Sequence, residues 1–302
     1  MSCLILWKRL RGYLGKMLFK ILKFLGFKGR HRGEHGRYEE RPKISLLIPF
    51  TTKNAERKAE FEWLLKYWKH ELPDAEIIVG ESHSRVFCKG EALNHAVRKS
   101  TGKVLVVLDA DAYISGRVIE RCTNRILEEM QDHLWYVPYR HLYRLKWEAS
   151  KKIIASDPEH PLRLSSPPPL EDVENGKQSN YGHRYGAMVM IFPREALDAV
   201  GGCFDERFKG WGGEDVALLR ALDTLYGKHK TVNTDIIHLW HPVIGDSYKT
   251  RVWKGQKGSQ PNANLAMAYH RATRKPEQMR TLVEAGCKYK KVRIIKKWGV
   301  RS

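Results

Sequence analysis

The feature that most constrains the fold is a strand–helix–strand–helix–strand order in the first third of the chain. Three short runs rich in Val, Ile and Leu have the length of buried strands, and the two segments between them carry apolar residues at helical spacing. The strand runs are 44–50, 75–80 and 103–108, and the helical segments are 60–68 and 89–99. This order predicts an α/β fold with a parallel sheet and a ligand crevice at the carboxyl ends of its strands.

Two carboxylates stand at that predicted edge. Asp109 and Asp111 directly follow the third strand, and the alternation of an extended chain would point both side chains the same way. Such a pair can bind one hard cation, which in turn neutralises a diphosphate. An isolated Asp-x-Asp is commonly a solvated turn, so the prediction of a metal site depends on its context.

A second acidic motif, Gly210-Trp211-Gly212-Gly213-Glu214-Asp215, lies about a hundred residues downstream. Its glycines allow the backbone to approach a ligand closely, and Trp211 offers an apolar ring face. Two acids follow these residues directly. We therefore expect Trp211, Gly212, Gly213 and Glu214 to contact a bound ligand.

Taken together, these segments resemble nucleotide-sugar glycosyltransferases of the GT-A fold, close to family 2 and to the catalytic domain of the β-1,4-galactosyltransferases (family 7). Ile48-Pro49-Phe50 matches the strand end that opens the nucleotide site there, and residues 87–94 resemble a Phe-x-Arg-x-x-x-Leu-Asn segment with lysine in place of arginine. The family's arginines after Phe50 are replaced by Thr51-Thr52-Lys53. The resemblance implies a Rossmann-like, mostly parallel sheet flanked by helices. It also implies that the nucleotide sugar is bound by Pro49, Phe50, Phe87, Lys89, Asn94, Asp109 and Asp111.

By the same resemblance, Asp111 binds manganese, with Asp109 nearer the ribose and diphosphate. The resemblance also implies that Asp215 is the catalytic base and that Glu214 orients the acceptor hydroxyl. The acceptor or the transferred sugar is then contacted by Trp211, Gly212, Gly213 and Glu214. The expected reaction transfers a hexose, of galactose type, from a UDP-sugar in one direct displacement that inverts the anomeric centre. A retaining reaction is less favoured, because the metal motif of the retaining polypeptide N-acetylgalactosaminyltransferases ends in histidine whereas this one ends in Asp111.

A further metal ligand is expected from the segment 236–242, which contains His238 and His241 after another apolar strand. In an extended segment, residues three apart point to opposite sides, so only one imidazole is expected to reach the cation. His238 is favoured from the resemblance and His241 is the alternative. Because imidazole is a borderline ligand, the set suits Mn²⁺ better than Mg²⁺, which stays an alternative.

The positive charge of the chain lies at its ends. Residues 1–43 hold 12 Lys and Arg against three Asp and Glu, and residues 271–302 hold 11 against two, so each end carries +9 of the formal +20. In residues 1–27, apolar and basic residues alternate at helical spacing, which predicts a basic amphipathic helix on an anionic membrane surface. A helix docked on its own protein is the alternative. We expect a linker over 28–43, one catalytic domain over 44–250 and a basic extension over 251–302.

The five cysteines are scattered without metal spacing, which is typical of a reducing cytoplasm rather than a disulfide framework. We therefore expect a bacterial or viral protein in the cytoplasm, peripheral at the inner face of a membrane. The acceptor is a carbohydrate, glycolipid or protein, and the aromatic residues of 130–181 either stack on a sugar or belong to the core. Two alternatives remain: transfer to nucleic acid or to a phage or surface protein, and a non-catalytic adaptor that binds through its basic ends. The four intact motif acids argue against the adaptor.

Overall fold

Strands and helices alternate from Ile44 to Leu108, as the hydrophobic pattern predicts. The computed structural model describes residues 43–52, 54–129, 132–162, 164–174, 179–180, 187–210, 212–241 and 260–287. Its strands are β1 Ile44–Pro49, β2 Glu76–Gly80, β3 Val104–Leu108, β4 Ala112–Tyr113, β5 Tyr136–Val137, β6 His141–Arg144, β7 Ser179–Asn180, β8 Val189–Pro193, β9 Lys230–Thr231 and β10 Asp235–His238. Its α-helices are α1 Ala55–Glu71, α2 Lys89–Lys99, α3 Gly116–Glu128, α4 Trp147–Ile154, α5 Arg194–Ala199, α6 Glu214–Leu225, α7 Gln260–Arg271 and α8 Pro276–Gly286.

The central sheet has the strand order β2-β1-β3-β8-β5-β9. The strands β2, β1 and β3 are parallel, and Leu46 of β1 is in register with Ile77 on one side and Val106 on the other. Strand β8 runs antiparallel to β3, β5 runs antiparallel to β8, and β9 is parallel to β5. The predicted mostly parallel sheet flanked by helices is confirmed, with antiparallel pairing where β8 inserts beside β3.

The core lies on both faces of β3, whose five residues are completely buried. Burying one such side chain stabilises the fold by roughly 1.5–3 kcal/mol, which explains the continuous apolar run rather than an alternating one. Most of the aromatic residues around position 140 also belong to this core, since Trp135, Tyr139 and Tyr143 are buried. Trp147 is the exception and reaches the surface.

A second, smaller sheet has the order β4-β10-β6-β7. Strand β4 follows Asp111 directly and pairs antiparallel with β10, which pairs in parallel with β6. At the end of β10 the backbone N–H of Leu239 donates to the carbonyl of Asp111 at 2.9 Å. This sheet therefore brings a segment more than a hundred residues distant to the end of β3.

Two helices within the predicted C-terminal extension pack against α6. They place Tyr269, Met279 and Val283 among the buried residues. A disulfide joins Cys203 to Cys287 at the end of α8. The expectation that the cysteines form no disulfide was therefore wrong for this pair, because sequence separation does not show which cysteines the fold brings together. Cys88 and Cys122 are free and buried.

Several predictions fall on residues outside the described ranges. These are the amphipathic helix over 1–27, nearly all of the linker over 28–43, the basic tail after Cys287, and Trp211. Within the described part of the chain, no helix combines the length and apolar character that a membrane span requires.

Candidate active site

The Asp-x-Asp motif forms a turn rather than a continuation of its strand. Strand β3 ends at Leu108, and the N–H of Ala112 donates to the carbonyl of Asp109 at 3.0 Å, which closes the turn before β4. The turn sends the two carboxylates to different partners. Asp109 pairs with Lys89 and Asp111 pairs with His241, because the period-two alternation of a strand stops where the strand ends. Binding of one cation by both carboxylates stays a prediction.

Asp111 meets the two histidines of the second sheet. Its Oδ2 lies 2.9 Å from Nε2 of His241, and one ligand atom each from Asp111, His238 and His241 lies within 4.8 Å of the others. The two imidazole rings stack with centroids 5.3 Å apart. Both histidines therefore reach the aspartate, whereas we expected only one to do so. The reason is that β10 ends at His238, so the chain is no longer extended between them.

The chemistry of this group fits a divalent cation. Burial alone would raise the pKa of Asp111, but His238, His241 and the Arg57 guanidinium hold it well below its usual range, so the carboxylate is charged. Burial lowers the pKa of His238 to about 4 despite the attraction of Asp111, which leaves a neutral imidazole able to act as a ligand. One carboxylate and two imidazoles form a donor set that a divalent metal cation can use.

Asp109 belongs to a different cluster. Its Oδ1 lies 2.5 Å from Nζ of Lys89, which also lies 3.6 Å from Oε1 of Glu214. Burial would lower the pKa of Lys89, but Asp109, Glu214 and Asp215 together raise it well above its usual range. The lysine is therefore a charged bridge between the end of β3 and the first turn of α6.

Glu214 and Asp215 open helix α6 after a glycine turn. Gly213 has φ of 97°, and an added Cβ there would lie 3.1 Å from both Ala266 and Phe208, so glycine is required. Oε2 of Glu214 is buried and has no hydrogen-bond partner among the described residues. Burial raises the pKa of Glu214 to about 7, opposed by Lys89. A carboxyl group that titrates near neutrality is suited to exchange a proton with a sugar hydroxyl.

The Asp215 carboxylate is held by the backbone. Its Oδ2 accepts from the N–H of Ala187 at 3.1 Å, and its Oδ1 accepts from the N–H of Val216 at 2.8 Å. The two bonds come from different parts of the chain, so they fix the direction of the carboxylate.

The residues predicted to bind the nucleotide have different surroundings in the structure. Phe50 follows β1, donates its N–H to the carbonyl of Gly80 at 3.0 Å, and stacks on Phe61 with ring centroids 3.8 Å apart. Phe87 is 36% exposed, and its carbonyl accepts from the N–H of Gly210 at 2.8 Å. Pro49, the last residue of β1, is buried and pairs in register with Gly80.

Asn94 is buried and hydrogen bonded to residues 204 and 206. Its amide Nδ2 donates to the carbonyl of Phe204 and to Oε1 of Glu206, both at 2.9 Å, while its Oδ1 accepts from the N–H of Phe204 at 2.8 Å. The side chain is 4% exposed. The described geometry gives Asn94 a structural role, which is to hold the 204–206 segment that leads toward Gly213.

Sequence analysis missed Arg57 and Glu60, both of which lie on α1. Nη2 of Arg57 is 3.3 Å from Oδ2 of Asp111, and its Nη1 is buried without a hydrogen-bond partner among the described residues. Glu60 lies one turn further on, is 4% exposed, and has an unpartnered Oε1. The position of Arg57 in the first turn of the helix after β1 could have indicated its role. The family that the chain resembles places arginines close to this position, directly after Phe50.

Comparisons with known proteins find similarity to glycosyltransferases. The family described as Glycosyl transferase family 2 matches residues 65–201. The human chondroitin sulfate N-acetylgalactosaminyltransferase 2 is 30% identical over 160 residues, which are 51% of this chain and 27% of that protein. The mouse protein of the same name is 29% identical over the same shares. The chain thus spans about a quarter of the length of these curated relatives.

Two solved structures show a more distant likeness. Glucosyl-3-phosphoglycerate synthase from Mycobacterium tuberculosis, solved with Mn²⁺, UDP-glucose and phosphoglyceric acid, gives a TM-score of 0.45 at 14% identity over 77% of this chain and 79% of that one. The catalytic domain of Drosophila β1,4-galactosyltransferase 7, solved with xylobiose, gives 0.37 at 16% identity over 68% and 78%. The family match over residues 65–201 and the curated relatives show that this part of the chain is similar to glycosyltransferases.

Proposed function

We propose that the chain transfers a galactose-type hexose or N-acetylhexosamine from a UDP-sugar to a hydroxyl of a carbohydrate acceptor, in a metal-dependent reaction that inverts the anomeric centre. The observation that carries this proposal is the convergence of Asp111, His238 and His241 at the end of β3. At the same strand end, Lys89 links Asp109 to Glu214 and so joins the motif that resembles a donor site to the motif that resembles an acceptor site.

Asp111, His238 and His241 would hold the divalent cation. When bound there, the cation stabilises the charge that develops on the leaving nucleoside diphosphate. Arg57 supports the same end of the reaction, since its guanidinium lies beside Asp111 and has an N–H without a partner among the described residues. A guanidinium can bind a phosphate through two parallel hydrogen bonds, so Arg57 can replace the arginines that the chain lacks after Phe50.

Asp215 would act as the base and Glu214 would orient the acceptor hydroxyl. In a single displacement, the acceptor oxygen forms a bond to the anomeric carbon while the bond from that carbon to the diphosphate oxygen breaks. The hydroxyl proton passes to the carboxylate of Asp215, whose direction is fixed by two backbone N–H groups. No covalent intermediate on the protein is needed, and a UDP-α-sugar gives a β-glycoside.

The donor is proposed to have the galacto configuration. Resemblance to the galactosyltransferases suggests UDP-galactose, and the name of the curated relatives suggests UDP-N-acetylgalactosamine. We also propose that residues 1–27 hold the protein on an anionic membrane surface. The expected cytoplasmic location is not carried into this proposal, because it was based on unpaired cysteines and Cys203 is bonded to Cys287. Sedimentation with vesicles containing phosphatidylserine, with and without residues 1–27, tests the membrane anchor: equal binding by both forms would refute it.

The first experiment measures release of UDP from five donors, UDP-galactose, UDP-N-acetylgalactosamine, UDP-glucose, UDP-N-acetylglucosamine and UDP-xylose, with Mn²⁺ or with EDTA. Asp111→Asn keeps the shape of the side chain but weakens the cation site, so it should abolish Mn²⁺-dependent turnover. Asp215→Asn should retain donor binding and lose turnover. Asp198→Asn, which changes an exposed aspartate on α5, serves as the control.

Turnover of one donor that depends on Mn²⁺ and disappears in Asp111→Asn would support the proposal and name the sugar. Equal turnover with Mn²⁺ and with EDTA would refute metal dependence. If the folded wild-type protein neither bound nor turned over any of the five donors, the non-catalytic adaptor would become the better explanation.

A further inference from the structure

Helix α7 binds the chain a few residues before the two acids of α6. Asn262 lies in the first turn of α7 and is 4% exposed. Its Nδ2 donates to the carbonyl of Lys209 at 2.9 Å, and its Oδ1 accepts from the N–H of the same residue at 3.2 Å. A side-chain amide that pairs with both backbone groups of one residue fixes the position and the direction of the chain at that residue.

The same helix makes a second contact four residues later, at the residue that precedes α6. A Cβ added to Gly213 would lie 3.1 Å from Cβ of Ala266 and 3.4 Å from the carbonyl oxygen of Asn262. Because Gly213 has no side chain, α7 packs directly on its backbone. Helix α7 therefore contacts the chain at Lys209 and at Gly213, and the two acids of α6 follow the second contact directly.

Helices α7 and α8 are also attached to the segment before Lys209 without the help of Asn262. The hydroxyl of Tyr269 donates to Oδ2 of Asp205 at 2.9 Å, and Nη2 of Arg207 donates to the carbonyl of Leu282 at 2.8 Å. The disulfide closes the far end of α8. Loss of the Asn262 amide would therefore remove one contact to the chain before α6 while the two helices stay in place.

We propose that Asn262 is a positioning residue, whose amide sets where Glu214 and Asp215 lie relative to Lys89 and thereby sets the rate of transfer. Lys89 is 3.6 Å from Oε1 of Glu214, so a small shift of the start of α6 changes this contact. A misplacement of reacting groups by about 1 Å can lower a rate about a hundredfold. This inference rests on the proposed function, because it adds a residue to the same site. It gives α7, which lies in the predicted basic extension, a part in that site.

The first test compares the kinetics of two variants with the wild type. Asn262→Ala removes both hydrogen bonds, and Asn262→Asp keeps only the acceptor for the N–H of Lys209. Each should lower kcat of UDP release about tenfold, while donor KM and Mn²⁺ affinity change less than about twofold, because Arg57 and Asp111 lie on other elements. An asparagine with a merely structural role would lower stability without separating kcat from KM.

Ser45→Ala is the matched control. Ser45 is completely buried near the start of β1, at the end of that strand away from the site, and its Oγ accepts from the N–H of Gly102 at 2.9 Å. Its variant should lose stability in urea unfolding, as Asn262→Ala does, and keep the wild-type kcat. An equal fall of kcat in both variants would show that lost stability is the cause and would overturn the proposal.

Hydrogen–deuterium exchange, read by mass spectrometry, tests the contact without any substrate. In Asn262→Ala the amides between Lys209 and Val216 should exchange at least about tenfold faster than in the wild type, and in Ser45→Ala they should exchange as in the wild type. If Asn262→Ala does not fold, Asn262→Asp carries both measurements.

Unchanged exchange between Lys209 and Val216, or a kcat within twofold of the wild type, would overturn the role of Asn262. Absence of turnover by the wild type with every donor would instead refute the proposed function. The exchange result would then decide by itself whether Asn262 holds the two acids in place.

Discussion

Glu60 predicts how the stability of the protein depends on pH. It is a buried acid, and one of its two carboxyl oxygens has no hydrogen bond among the described residues. Its side chain is 4% exposed, and its Oε1 has no partner among the described residues. Burial raises the pKa of Glu60 from 4.5 to about 8, the Asp111 carboxylate adds to this rise, and Arg57 opposes it. The folded protein therefore keeps Glu60 protonated at neutral pH, whereas the unfolded chain ionises it near pH 4.5.

The sign of the effect follows from proton binding. Between pH 4.5 and 8 the folded state holds more protons at this site than the unfolded state, so the free energy of unfolding falls as the pH rises. Below pH 4.5 the contribution of Glu60 is fully present. One pKa unit corresponds to about 1.4 kcal/mol, so the loss at pH 7 is on the order of 3 kcal/mol. Glu60→Gln imitates the neutral acid and removes this dependence.

The assay is urea unfolding in EDTA at pH 5 and pH 7.5, for the wild type, Glu60→Gln and Glu62→Gln. Glu62 lies on the same helix but is exposed and paired with Lys58 at 3.8 Å, so its variant should follow the wild type. Glu60→Gln should match the wild type closely at pH 5 and exceed it at pH 7.5 by a midpoint shift of about 1 M urea. The reasoning is refuted if the difference between Glu60→Gln and wild type is the same at both pH values.

Four further variants test other parts of the structure. Arg57→Lys keeps the charge but loses the guanidinium fork, so it should raise the donor KM about tenfold in the UDP-release assay with kcat little changed; an unchanged KM would exclude the phosphate contact. His238→Ala and His241→Ala should each weaken Mn²⁺ binding by at least about tenfold in titrations followed by electron paramagnetic resonance, and wild-type affinity in either variant would remove that histidine from the ligand set. Cys203→Ser breaks the link to Cys287, which spans 84 residues, and should cost roughly 2–4 kcal/mol of unfolding free energy. Reducing the wild type should produce the same loss, and equal stability with and without reductant would show that the link contributes nothing.

The sequence was most informative where the physical signal was local. Apolar runs and helical spacing predict β1, α1, β2, α2 and β3 within a few residues, because burial on both faces of a parallel sheet requires such runs. The same pattern places Asp109 and Asp111 at the carboxyl edge. It could not predict β8 pairing antiparallel between β3 and β5, since that order depends on where a long connection returns.

The details of the site depended on contacts that no local pattern contains. Both histidines reach Asp111 because β10 stops at His238 and the next N–H bonds to the Asp111 carbonyl. Arg57 reaches the same carboxylate because Asn54 caps α1 through the N–H of Arg57 at 2.9 Å and fixes the first turn of that helix. Motif spacing alone assigned Asn94 to the nucleotide, whereas its buried amide holds the 204–206 segment.

The turn at residues 109–111 places the two carboxylates in different groups of charged residues. If Asp109 and Asp111 had both pointed to one cation, Lys89 would have lost Asp109 as a partner and would have been paired only with the acids of α6. The cation would then have been bound by two carboxylates and one histidine. Instead, Asp111 shares its charge with two imidazoles and Arg57, while Asp109 shares Lys89 with Glu214. Each buried charge is thereby paired within its own group, which limits the desolvation cost that unpaired ions would impose. It follows that a change in Lys89 should first disturb Asp109 and Glu214, and a change in Arg57 should first disturb the cation site.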